Sequence, residues 1–230
     1  MVNTLHRIHR FCVSHLVYPL ALSTLLACGL FAGRVYLSHR PTYLFFVWNL
    51  FLAWLPYLLS LLIAELHQHQ PRRWWLILVP AALWFLFLPN APYLITDLWH
   101  LDERKPVPMW YDIGMFASFA WSGLFLAVAS LSTMQRVVRD YFGRLVSWLF
   151  VLIAIGASGF GIYLGRFLDW NSWDLILHPR GVLADILTRL AHPIRYSQTY
   201  GVAFLFATFF LVCYLTFVSM EHRAAQVRNQ

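Results

Sequence analysis

The sequence predicts an all-α, polytopic membrane bundle of about six transmembrane helices, and three observations lead there. The 230-residue chain is 60% hydrophobic and only 12% charged, about half the roughly 25% charged residues of a soluble domain. Several nearly uncharged runs reach the ~18 residues or more that read as membrane-crossing helices. The net charge of +7 is spread through short connections, with no basic tract interleaved with aromatics. That distribution points to membrane lipids as partners and excludes nucleic acid. The whole chain, 1–230, is expected to form a single integral membrane domain. Cys12, Cys28 and Cys213 lie in or beside apolar runs, which argues against a disulfide framework.

The elements follow in order. A polar start containing Arg7 and Arg10 precedes a first span from about Phe11 to Gly33, and Arg34 to Pro41 read as a short loop. The second span, about Tyr43 to Ala64, carries Asn49, Pro56 and Ser60 on one face, with a kink expected at Pro56. Glu65 to Arg73 form a polar turn. The third span, Trp74 to Leu88, has only fifteen residues, roughly 22 Å at ~1.5 Å per residue, too short for a ~30 Å hydrocarbon core. It stops at a Pro89–Pro92 break. A new helix then places Tyr93, Thr96, Asp97 and His100 at i, i+3, i+4 and i+7, a polar stripe on an otherwise apolar helix. Residues 89–101 either complete the crossing or lie at the interface.

A charged loop, Asp102 to Pro108, leads to a fourth span opened by Trp110-Tyr111-Asp112 and reaching about Leu131. Asp112 there offsets the helix dipole. Arg136, Arg139 and Arg144 fall in one short loop before the fifth span, about Leu145 to Leu168. Its Ala157, Gly161 and Gly165, spaced by four, form a stripe that lets helices approach closely and offers a face for a protein partner or a homo-oligomer. Residues 180–192 fit an interfacial helix. Asp174 reads as a first-turn acid behind an Asn171 cap. A sixth span, about Tyr200 to Met220, precedes a polar tail.

Six spans put both termini on one side. Nine arginines (7, 10, 72, 73, 136, 139, 144, 223 and 228) fall there, against eight cations (34, 40, 104, 105, 166, 180, 189 and 195) spread over longer connections on the other. Density therefore favours cytoplasmic termini. With that orientation, polar groups gather at the outer face. Asp97 and His100 are the candidate acid/base pair, and Asn49, Asn90, Tyr93, Thr96, Asp112, Arg166 and Asp169 are candidate binding residues. The bland reading pairs Asp97 with Arg166 or His100 and holds the helices in register. If a metal is bound, Asp97 and His100 would be its first ligands, with Asp112, Asp169 or His178 completing the set. The sequence names no cofactor.

Pro89-Asn90-Ala91-Pro92-Tyr93, Thr96-Asp97, His100-Leu101, Trp110-Tyr111-Asp112 and the stretch from Gly159 to Asp174 together resemble an uncharacterised family of bacterial multi-span membrane proteins, domain of unknown function 1361. The resemblance runs from about Trp48 to Asp174. It implies a bacterial cytoplasmic-membrane location and supplies neither a reaction nor site residues. The residues themselves leave three readings open. One is a protein with an outer-face polar pocket that binds or acts on a lipid or envelope precursor, whether or not it is an enzyme. The others are a small transporter and a non-catalytic scaffold or assembly factor.

Overall fold

A computed structural model describes residues 2–70 and 73–228; Arg72 of the polar turn lies outside the described residues, as do the side chains of His222 and Arg228. The helices are α1 (Val2–Ser14), α2 (Val17–Ser38), α3 (Phe45–His69), α4 (Trp75–Phe87), the single turn α5 (Asn90–Tyr93), α6 (Met109–Leu168), the single turn α7 (Asp174–Leu177), α8 (Pro179–Ala191) and α9 (Ser197–Arg228). A 3-10 segment, Leu94–His100, continues α5. The architecture is an all-α membrane bundle. Among the described residues, five stretches are long and apolar enough to cross a membrane: Val17–Ser38, Phe45–His69, Trp75–His100, Met109–Leu168 and Ser197–Glu221.

The 60-residue α6 is two rods, because Gly143 within it takes φ 82° and ψ 176°. That conformation is open to glycine and breaks the helix. The Trp84 ring shows that the rods fold back on one another. Its Nε1 donates to Ser130 Oγ at 2.7 Å, and its ring stacks on Phe150 at 5.5 Å. Those two residues would stand ~30 Å apart in one straight helix. Arg136 and Arg139 are accordingly helical, and the expected loop shrinks to the glycine.

The first rod of α6 is the centre of the bundle. Met115, Phe116, Phe119, Leu126, Ala127 and Leu131 are fully covered along it. α3 packs through Phe46, whose ring lies 4.6 Å from Phe116 and 4.9 Å from Phe119. α2 packs through Tyr111, which donates to Leu30 O at 2.9 Å. A buried relay runs from Trp84 through Ser130 to Pro56 O, at 2.7 and 2.9 Å, and joins α4, α6 and α3 without an unmet donor.

The first and third spans differ from the sequence reading. The first span begins at Val17, after a separate α1, because Leu16 adopts a left-handed φ of 60°. It continues to Ser38, so Arg34 is inside the helix and not in a loop. The third span is not cut at its prolines. Leu88, Pro89, Tyr93 and Leu94 keep right-handed helical dihedrals, and Trp75–His100 runs as one apolar stretch of 26 residues. At ~1.5 Å per residue or more it exceeds the ~30 Å core. Residues 89–100 therefore complete a length sufficient to cross.

Candidate functional site

One end of the bundle gathers the polar residues. The tightened backbone of Leu94–His100 positions them, because 3-10 geometry eclipses residues three apart. Tyr93 with Thr96, and Asp97 with His100, form two adjacent rows in place of the single α-helical stripe expected. Arg166, near the C-terminal end of α6, bridges the rows. Its Nε and Nη2 donate to Thr96 Oγ1 at 3.0 and 2.8 Å, and Nη2 also donates to Asp97 Oδ1. Thr96 Oγ1 in turn donates a hydrogen bond to Tyr93 O at 2.7 Å. The guanidinium lies over the Tyr93 ring, 4.8 Å from its centroid. Asn49 of α3 donates to the other Asp97 oxygen at 2.9 Å. Asp97 is 1% exposed and has a cation and an amide on its two oxygens, the arrangement a buried carboxylate needs.

His100 is exposed and stands 3.5 Å from Arg166 Nη1. Asp97 and His100 thus share an arginine, and the structural pairing of Asp97 with Arg166 is the geometry found. Among the described residues no three His, Cys, Asp or Glu side chains come together as metal ligands. Asp169 makes no hydrogen bond or ion pair with the cluster, although its charge lies close enough to act on Tyr93. It ends α6 in a left-handed turn, φ 57°, and is exposed.

Asp112 departs from expectation too. It is fully buried and receives Arg34 in a two-pronged ion pair, Nε to Oδ1 at 2.7 Å and Nη2 to Oδ2 at 3.1 Å. Tyr43 covers the Arg34 guanidinium at 4.3 Å. Asp112 therefore clamps α2 to α6 and lies outside the Asp97 cluster. Nothing in the α2 sequence distinguishes Arg34 from a loop cation until its partner is known.

Beside the cluster is a cavity of about 1110 Å³ between α3, α4, α5, the second rod of α6, α7 and α8. Small residues make the space: Ala81 and Ala82 on α4 face Gly156 and Ala157 on α6. A Cβ added at Gly156 would meet nothing within 4 Å. Asn49, Asn90, Tyr93, Asn171 and Ser172 supply its polar lining. Asp97, His100, Thr96, Asp112, Asp169 and Arg166 do not line it. The polar pocket expected from sequence is an apolar cavity with an amide end, and the charges are paired behind its wall. Gly161 and Gly165 of the small-residue stripe close on Pro89 and Tyr93 of the same chain, whereas Ala157 lines the cavity.

α7 and α8 roof the cavity. Trp170 Nε1 donates to Asp185 at 2.8 Å, and that bond, with Arg189 beside it, holds the Asp185 carboxyl below its usual range. The Asn171 backbone N–H does the same for Asp174. The expected cap is reversed: Asp174 accepts from Asn171 N at 2.7 Å and from its Nδ2 at 3.3 Å. Ser172, which accepts from Asn90 Nδ2 at 2.8 Å, had no helical pattern to single it out.

A family model described as "Protein of unknown function (DUF1361)" matches residues 48–219. The chain belongs to this family. No curated protein matches it, and no solved structure matches it. The DUF1361 region takes in the whole cavity wall, from Trp48 to Leu190, and the Asp97–Arg166 cluster. The Arg34 helix precedes it.

Proposed function

We propose that this DUF1361 protein is a multi-pass protein of the bacterial inner membrane, with cytoplasmic termini, and that its cavity binds a lipid or lipid-linked envelope precursor near the outer face. The observation that carries this reading is the cavity itself. Its walls are apolar, its volume of about 1110 Å³ is slightly above the ~300–1,000 Å³ of small-molecule sites, and its polar groups are confined to a few side chains. Exposed Trp48, Phe85, Ile176 and Leu190 form part of its lining, and in a bilayer that exposure faces acyl chains. Binding is favoured over chemistry because Asp97 and Arg166 neutralise each other outside the cavity lining.

Gly156→Trp fills the cavity from a position with open space around it. The variant is expected to keep the wild-type melting temperature and to lose most of the lipid that co-purifies with the protein, measured by mass spectrometry of extracted lipid. A folded variant that retains as much lipid as wild type would sink the reading.

A further inference from the structure

We infer that the occupant of the cavity is a two-chain lipid, with its head at the Asn90–Ser172 end and both chains side by side between α4 and the second rod of α6. This rests on the lipid-binding reading of the cavity and names the class of ligand. It holds for a charged and an uncharged head alike.

The polar lining lies at one end of the cavity. Asn90 and Tyr93 are late in the third span, Asn171 and Ser172 follow the end of α6, and Asn49 is in the second turn of α3. The Asn90–Ser172 bond at 2.8 Å ties the first two of these stretches together. The Trp48–Trp173 ring contact at 6.4 Å brings in the third. From there the lining descends to Ala81 and Ala82 on α4 and to Gly156 and Ala157 on α6. Every lining residue within 81–89 and 156–165 is apolar.

Depth and volume together fix the width. Ala81 to Tyr93 and Gly156 to Gly165 span about 14–18 Å at ~1.5 Å per residue. A volume of about 1110 Å³ over that depth leaves a mean cross-section of about 60–80 Å². That is several times the cross-section of one extended hydrocarbon chain. Alanine and glycine facing each other across the deep end keep it wide. A single chain there would leave most of the wall without contact, and unfilled apolar space forfeits dispersion energy. Two separate single-chain molecules would fill it, but each loses its own translational and rotational freedom; chains joined through one head lose it once. Width therefore selects the number of chains. It does not select their length, because Ala82, Phe85 and Gly156 are exposed. The deep end opens to the bilayer there, and longer chains run on into it.

The test offers the full chain, in a polyoxyethylene detergent, an equimolar mixture of dioleoylglycerol, monooleoylglycerol, dioleoyl phosphatidate and oleoyl lysophosphatidate. Retained species are counted by native mass spectrometry. Each head is thereby present with one chain and with two. For at least one head, the two-chain form is expected to exceed its one-chain counterpart by about tenfold. Ala157→Leu narrows the deep end from a residue that already borders the cavity. It is expected to bring the two forms close to parity and to keep the wild-type melting temperature. One-chain forms retained as well as two-chain forms under both heads, or an unaltered two-chain preference in Ala157→Leu, overturns the inference while leaving lipid binding in place. Retention of none of the four overturns the lipid reading itself.

Discussion

Arg34 and Asp112 show how much one residue depends on its partner. Each is an ionised group removed from solvent, at 1% and 0% exposure. Burying either alone carries a desolvation penalty that the other offsets through a bidentate contact. Asp112→Ala leaves Arg34 buried without its counter-ion, and a loss of about 3–5 kcal/mol is expected. The double variant Arg34→Met with Asp112→Leu removes both charges and is expected to be clearly more stable than the single one. Denaturant unfolding in detergent, followed by Trp fluorescence, compares the three proteins. An Asp112→Ala protein as stable as wild type would mean the pair does not clamp α2 to α6.

At the scale of the element, two glycines in the second rod of α6, three residues apart, have opposite duties. A Cβ on Gly159 would stand 2.3 Å from Ala203 O and 3.0 Å from the Ala207 Cβ. α9 can approach only because nothing is there, and backbone cannot yield as a flexible side chain does. Gly159→Ala should therefore push α9 away, at about 1–3 kcal/mol. Gly156→Ala meets nothing within 4 Å, and its effect is expected to be neutral or mildly stabilising, because alanine loses less backbone freedom in a helix. Thermal melting of the two variants separates them; similar shifts for both would contradict the packing described. Spacing by four marked Ala157, Gly161 and Gly165 as a close-contact stripe, and Gly161 and Gly165 do make one. The surface it meets, Pro89 and Tyr93, was not legible, because a stripe of small residues says nothing about which helix fills it.

For the whole molecule, the outstanding physical quantity is its orientation. Four of the eight cations assigned to the outer side, Arg34, Arg104, Arg166 and Arg189, are paired with acids of the same chain. The arginine-dense side around Arg136, Arg139 and Arg144 is then the stronger cytoplasmic signal. In a background without the three native cysteines, Lys105→Cys is expected to react with a membrane-impermeant maleimide added to intact spheroplasts. Gln226→Cys is expected to react only after permeabilisation. The reverse pattern of labelling would invert the molecule, and with it the side on which the cavity lies.

Apolar runs of crossing length and the scarcity of charge determined that this chain is an all-α membrane bundle, because no backbone can enter hydrocarbon without satisfying its own polar groups. The same reasoning located the end of the bundle where Asn49, Thr96, Asp97 and Arg166 meet, since polar side chains in apolar helices are tolerated only where they find each other. What tertiary structure alone decided is how those groups divide. Arg34 and Asp112 became a clamp, Asp97 and Arg166 became a wall, and the asparagines were left to face a cavity. Sequence spacing reports which residues share a helix face; it is silent on which face meets which, and pairing across helices is what turns a set of polar residues into either a buried contact or a site.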